Sequence, residues 1–381
     1  MTLVLTLGLL LVFVPWVLYP VAVFSAAALV RRRAVVPRDA DATWPPVTCV
    51  LATRDAPDVV RERVADFLAQ NYPAERLDVV VAVDAAAAGV LVPALADLGG
   101  ARVRVVAGDA PGGKCPALNA AVRAATGEVL LFSDARQRFA PDVARKLVAA
   151  LRGDPRLAIT SGRLLLPADA AGSGLFRLYS RLELNLRAAE ARLHSAVGVS
   201  GSIYAVWRRH WAPLPAGLIL DDLYLPMRLA LAGGRVGFVP DAYAHETRRV
   251  VAKQEFRRKV RTLTGNYQLC AWLPGVLAPW RNPIWLQFVC HKLLRLFLPL
   301  GVLLTGVGTA ALVLRALFEF AGGAAVWVVA AAALAGVWVG VGRDGLARRL
   351  RGLTVQFASM QAAVAVAAFY GLRGEWDVWK A

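Results

Sequence analysis

Apolar and polar positions divide the chain into stretches with different rhythms. Residues 1–30, "MTLVLTLGLLLVFVPWVLYPVAVFSAAALV", carry no charge, and neither do three later runs, Leu296–Leu314, Phe320–Gly342 and Thr354–Leu372. Each approaches the roughly 20 residues a helix needs to cross a bilayer. The pattern predicts about four membrane helices, one N-terminal (1–30) and three C-terminal (296–372), with a turn at Arg315–Glu319 and a tail at 373–381. The first run lacks a basic n-region and ends in Arg31-Arg32-Arg33 rather than a small-residue cleavage site, which argues against a signal peptide.

From about 45 to 265 the rhythm becomes that of a globular domain. "VTCVLAT" (47–53), "RLDVVVAVD" (76–84), "ARVRVVAG" (101–108), "GEVLLFSDA" (127–135) and 156–166 read as strands. Helical patterns at 58–71, 114–125 and 141–151 lie between them, the first placing Val60, Val64, Phe67 and Leu68 on one face. Strands that alternate with helices and are almost continuously Val, Leu and Ile predict an α/β fold with a mostly parallel, Rossmann-like sheet covered on both faces. Residues 266–295 set Trp272, Trp280 and Trp285 among Pro and Leu. That composition suits helices lying at a membrane surface, and equally a buried amphipathic helix of the domain.

Composition sharpens this division. The chain of 381 residues is 57% hydrophobic, too apolar for an ordinary soluble domain. Its net charge of +17 gathers beside the apolar runs, in "RRRAVVPR", "HKLLR" and "RDGLARRLR". Basic residues collect in cytoplasmic loops, so the charge points to a cytoplasmic central domain rather than to nucleic-acid binding. Cys49, Cys115, Cys270 and Cys290 show no paired spacing, which fits a reducing compartment without a disulfide framework.

Open parallel sheets bind ligands at the carboxyl ends of their strands. Here those ends carry Thr53-Arg54-Asp55, Asp84, Gly108-Asp109 and Ser133-Asp134. Acids are common in turns, but three strands ending at or beside one make a candidate cleft. "GDAPGGKC" (108–115) nearly matches a phosphate-cradling loop through Gly108, Gly113 and Lys114, but Cys115 lacks the hydroxyl that would hold Mg²⁺. The reading that remains is a glycine pair presenting Lys114 to an anion at a helix start. Asp221 and Asp222 open the helix "LYLPMRLALAGG", either as acids complementing its dipole or as a general base. "KQEFRRKVRTLTGN" (253–266) reads as a basic membrane-facing surface or as a guanidinium site for phosphate.

The order "QNYP" (70–73), "VAVD" (81–84), "GGKCPALNAA" (112–121), "TGEVLLFSDA" (126–135), "SGSIYAVWR" (200–208), "DDLYLPMRL" (221–229) and "FRRKVRTLTGN" (256–266), flanked by membrane runs, resembles the membrane-bound glycosyltransferases of family 2. This is the group of cellulose, chitin and hyaluronan synthases, and the likeness is to its serine-aspartate-alanine branch. The resemblance implies a GT-A fold and inverting transfer from a nucleotide sugar, UDP-linked, to a saccharide or lipid-linked acceptor at the bilayer, as in polysaccharide synthesis. It implies Asp222 as catalytic base supported by Asp221. Thr53, Asp55 and Asp84 would lie at the nucleoside, with Lys114 near the diphosphate or base. Asp134 would be the first acid of a DxD motif holding Mg²⁺ or Mn²⁺. Gln254, Arg257 and Arg258 fall where processive members carry Q-x-x-R-W.

The chain departs from that pattern at three places. Arg136 stands where DxD has its second acid, and it suits either neutralising the diphosphate or a catalytically impaired nucleotide-sugar-binding protein of the same fold. Arg54 stands where the family has Asn, and Arg258 replaces the tryptophan of Q-x-x-R-W. His245-Glu246 reads as a sheet-edge pair or as a further site element.

Overall fold

A computed structural model describes residues 1–30, 44–165, 174–247, 252–340 and 345–378. The basic stretches 31–38 and 248–249 lie outside these, as do Arg343-Asp344 and the side chains of Gln254 and of residues 320–340. The chain forms two compact units. One comprises Met1–Val21, Ala252–Tyr267 and Val289–Ala381, the other Ala22–Val251 and Gln268–Phe288.

The second unit is built on one eight-stranded sheet. Its strands are β1 (Val47–Thr53), β2 (Leu77–Val83), β3 (Val103–Ala107), β4 (Val129–Ser133), β5 (Gln137–Phe139), β6 (Leu157–Leu165), β7 (Tyr204–Trp207) and β8 (Arg235–Glu246). Their spatial order is β3-β2-β1-β4-β7-β6-β8-β5. The β1–β2, β1–β4, β2–β3 and β6–β8 pairings are parallel, whereas β7 runs antiparallel to both β4 and β6, and β5 antiparallel to β8.

Successive strand residues face opposite sides, and both sides are apolar here. Cys49, Leu51, Val79, Val81 and Leu131 join Val64, Phe67 and Leu147 of helices Pro57–Leu68 and Val143–Gly153 in one core. On the other side, helix Lys114–Ala124 packs on β1 and β2, burying Ala117, Leu118 and Ala121. Because both faces are covered, the strands lack polar alternation, and this is what made them visible as near-continuous apolar runs.

Arg63 is an exception inside that core. Its side chain is fully buried, with the guanidinium 3.9 and 4.0 Å from the ring centres of Phe67 and Phe139, and it pairs with Asp66. Burial pulls its pKa down to about 9. Asp66 Oδ2 also accepts from Phe139 N at 3.2 Å, tying helix Pro57–Leu68 to β5.

The first unit is helical. Helix Thr2–Phe13 packs closely on helix Leu298–Gly340, where a Cβ on Gly308 would meet the Leu5 backbone at 2.9 Å and one on Gly8 would meet Thr305 N at 2.5 Å. Small residues at such contacts let helix backbones approach. Among the described residues, three helices are long and apolar enough to cross a membrane: Thr2–Leu29, Trp285–Glu319 and Thr354–Arg373. The expected turn at Arg315–Glu319 is not there: helix Leu298–Gly340 runs through it, with Arg315 Nε 2.7 Å from Glu319 Oε1. An i,i+4 pair of opposite charges supports a helix rather than ending it.

Candidate active site

The carboxyl edge of β1, β2 and β4 gathers the acids that the sequence singled out. At the end of β2, Asp84 accepts hydrogen bonds from Ala86 N through Oδ1 and from Gly113 N through Oδ2, both at 3.0 Å. Gly112 and Gly113 have φ of +95° and +98°, and a Cβ on Gly112 would come within 3.0 Å of Asp84 Oδ1. A glycine pair is therefore required for the chain to fold over this carboxylate. The turn delivers Lys114 to the first position of helix Lys114–Ala124.

Lys114 is the hub of the cleft. Its ammonium lies 3.3 Å from Asp134 Oδ1 and 3.1 Å from Asp221 Oδ2. Burial opposes the charge on Lys114, but Asp134, Asp221 and Asp222 outweigh it and raise the pKa well above the usual lysine range. Asp134 leaves β4 partly exposed, and its Oδ2 accepts from the Ser202 hydroxyl at 3.1 Å. Asp221 is buried at the start of helix Asp221–Leu231, and Asp222 follows it half-buried.

The loops around Asp222 are tightly specified. Val199 N donates to the Asp222 carbonyl at 2.9 Å, and a Cβ on Gly201 would stand 3.2 Å from Asp222 Oδ2. The segment leading into Asp221 is clamped on two sides. Asn119 exchanges hydrogen bonds of 2.8 and 2.9 Å with the Leu214 backbone, and Gln268 does the same with Ile219 N at 2.8 Å and Gly217 O at 3.0 Å. Both acids are thereby presented from a fixed helix end rather than from a free loop.

Arg136 has turned away from Asp134. Its Nε and Nη2 both donate to Asp55 Oδ1, at 3.0 and 2.5 Å. Asp55 N in turn donates to Thr53 Oγ1 at 3.0 Å. Thr53, Asp55 and Arg136 thus form one group, while Lys114, Asp134, Asp221 and Asp222 form another. Arg54 is exposed. Arg257 and Arg258 are exposed on helix Ala252–Trp272. Glu246 accepts from Gln137 Nε2 at 2.8 Å where β8 pairs with β5, and His245 rests edge-on against Tyr243, which is a sheet-edge arrangement.

Two neighbours of the acids lie within "SGSIYAVWR" without being marked there as site residues. One is Ser202. The other is Tyr204, which is 1% exposed and stacked on Phe132 at 4.6 Å, its hydroxyl without a hydrogen-bond partner among the described residues. Burial, then the charges of Asp221 and Asp222, push its pKa well above the usual tyrosine range. Antiparallel pairing puts both there: Phe132 of β4 lies opposite Tyr204 of β7, so the turn before β7 falls beside the residue after β4.

Among the described residues no group of three His, Cys, Asp or Glu side chains converges to hold a metal. The cleft offers a cation Asp134, whose side chain is 42% exposed, with Asp222 also half-buried. That donor set fits a hard divalent ion that keeps waters and draws its other ligands from substrate phosphates.

No curated protein matches the sequence. Among solved structures, the mannosyltransferase PcManGT from Pyrobaculum calidifontis, in complex with GDP-Man and Mn²⁺, superposes with a TM-score of 0.68 at 21% identity, covering 97% of this chain and 99% of that one. It shows the same fold, a GT-A sheet with flanking apolar helices. GalNAc-T7 with UDP, GalNAc and Mn²⁺ (TM-score 0.45, 14% identity, 61% of this chain and 48% of that one) and Staphylococcus aureus TarS (0.42, 15%, 61% and 40%) overlap too loosely to bear on function. The family model described as glycosyltransferase like family 2 matches residues 45–265, more than half of the chain, and the protein belongs to that family of glycosyltransferases.

Proposed function

We propose that this protein is a membrane-anchored, inverting glycosyltransferase that moves a sugar from a nucleotide sugar, UDP-linked, to a saccharide or lipid-linked acceptor. The observation that carries this reading is the meeting of Asp134 and Asp221 on Lys114, with Asp222 alongside, at the carboxyl edge of the sheet. Three elements distant in sequence supply one cation and three carboxylates to a partly exposed cleft. Such a set can receive a diphosphate and accept a proton within one site.

In this reading Thr53, Asp55 and Asp84 lie at the nucleoside and Lys114 at the diphosphate. Asp222 takes the proton from the acceptor hydroxyl. The acceptor oxygen forms a bond to the anomeric carbon as the bond from that carbon to the diphosphate oxygen breaks on the opposite face, and the nucleoside diphosphate leaves with the electron pair. Asp221 keeps Lys114 in place during this step. Mg²⁺ or Mn²⁺, held by Asp134 with phosphate oxygens, would supply positive charge to the leaving group.

Three apolar helices support a plasma-membrane protein, and the basic residues flanking them support a cytoplasmic active site. An acceptor drawn from the bilayer suits polysaccharide or cell-envelope synthesis, in the serine-aspartate-alanine branch of the family. Purified protein in detergent, given a panel of UDP-sugars and GDP-mannose with Mg²⁺ or Mn²⁺, tests the proposal by release of nucleoside diphosphate. Release from one donor that depends on added acceptor is expected. Absence of release from every donor and acceptor class would remove the reading.

A further inference from the structure

The Lys114 contacts bear on how a divalent ion reaches the cleft. Both oxygens of Asp134 are engaged: Oδ2 by the Ser202 hydroxyl and Oδ1 by the Lys114 ammonium at 3.3 Å. Arg136, the nearest other cation in sequence, is spent on Asp55. The two acids that share Lys114 differ sharply in exposure. The Asp221 side chain is 6% exposed and the Asp134 side chain 42%. A buried carboxylate loses far more than an exposed one when its counter-charge leaves. The ammonium therefore has a firm anchor at Asp221 and a loose contact at Asp134. Its backbone is fixed by the Gly113 N–Asp84 bond, but four methylenes let the head pivot, and 38% of the side chain reaches solvent.

We propose that the Lys114 ammonium is the resting occupant of the cation position at Asp134, and that a divalent ion binds there only as the ammonium gives up Asp134 and keeps Asp221 alone. This deepens the reading in which Asp134 is the metal carboxylate. Two cations side by side repel unless an anion lies between them. The donor diphosphate is such an anion, so ion and donor bind together and neither is held firmly alone. The protein thereby avoids carrying a bound ion in a cleft open to water. It also links metal entry to the presence of substrate.

Mn²⁺ binding to the full-length protein in detergent, followed by the free-ion paramagnetic resonance signal with no sugar donor or acceptor present, tests this without measuring transfer. The native protein is expected to bind weakly. Lys114→Gln is expected to bind at least about tenfold more tightly without nucleotide, and Lys114→Arg, which keeps the charge, to stay near native. Equal affinity of native protein and Lys114→Gln, or tight binding by Lys114→Arg, would overturn the proposal. If Lys114→Gln does not fold, Asp221→Asn reads the same device from the other side. With its anchor gone the ammonium stays on Asp134, so Mn²⁺ binding in the presence of UDP or GDP weakens, and unchanged binding overturns the proposal. Asp134→Asn separates the two levels: Mn²⁺ binding that survives it places the ion elsewhere and removes the assignment of Asp134 itself.

Discussion

Arg136 reaches across to Asp55, both donors falling on the single oxygen Oδ1, at 3.0 and 2.5 Å. Arg136, two residues beyond Asp134, therefore serves the end of β1. Asp55 Oδ2 accepts from the Thr53 hydroxyl at 3.5 Å, so the carboxylate is oriented by the guanidinium on one side and by that hydroxyl on the other.

This arrangement separates two roles for Arg136. If it orients Asp55 at the nucleoside, Arg136→Met raises the donor KM several-fold and leaves kcat within about threefold, because the lost interaction is equally present before and during transfer. Steady-state kinetics with varied donor decides the matter. A collapse of kcat at unchanged KM would show that the guanidinium meets the diphosphate only as charge develops on it.

If Asp222 is the base, Asp222→Asn keeps its shape and removes its ability to take a proton. Turnover is expected to fall by about 10² to 10⁴ while donor affinity, measured by nucleotide displacement, changes little. Transfer at the native rate in this variant would reassign the base.

Gly201 faces the Asp222 carboxylate, and a Cβ there would stand 3.2 Å from Oδ2 and 3.3 Å from the Asp222 Cβ. Gly201→Ala is expected to push the carboxylate by a few tenths of an ångström and to lower kcat about tenfold or more, since small misplacements of reacting groups are costly. The thermal midpoint should stay close to native. A large loss of stability with kcat intact per folded molecule would show that the close approach serves packing alone.

Stability at alkaline pH follows from Cys49, a fully buried thiol in β1. Burial pushes its pKa far above the ordinary 9.0. The folded state thus holds a proton that the unfolded chain releases above about pH 9. The contribution is complete below that value and declines as pH rises beyond it, because the unfolded state then binds fewer protons. Denaturation followed from pH 8 to 10.5 should show stability falling, with a shallower fall in Cys49→Ala. Parallel slopes for the two proteins would exclude this thiol as the source.

Much of this architecture was legible in the sequence, and the reasons are specific. β1, β2 and β4 are buried on both faces, so each wrote a nearly unbroken apolar run ending at the residues that line the cleft. The Gly112-Gly113 pair announced a turn, and Asp84, Lys114, Asp134, Asp221 and Asp222 gather at the carboxyl edge of the sheet. What stayed hidden depends on pairing across distance. β5 is three residues long and β7 four, too short to show a period. The partner of Arg136 is 81 residues away and that of Ser202 is 68 away, with nothing local to mark either. At Arg315–Glu319 two charges inside an apolar stretch suggested a break, whereas their spacing was a helix signal all along.

The antiparallel run of β7 against β4 also bears on how the protein is made. Asp134 must wait for Ser202, and Lys114 for Asp221, before the cleft can close. As the chain emerges from the ribosome, the residues of β1 to β4 therefore precede those that complete the cluster on Lys114. Contacts of such long sequence separation are slow to form. A nascent chain cut short before residue 221 would lack both acids that helix Asp221–Leu231 brings to Lys114.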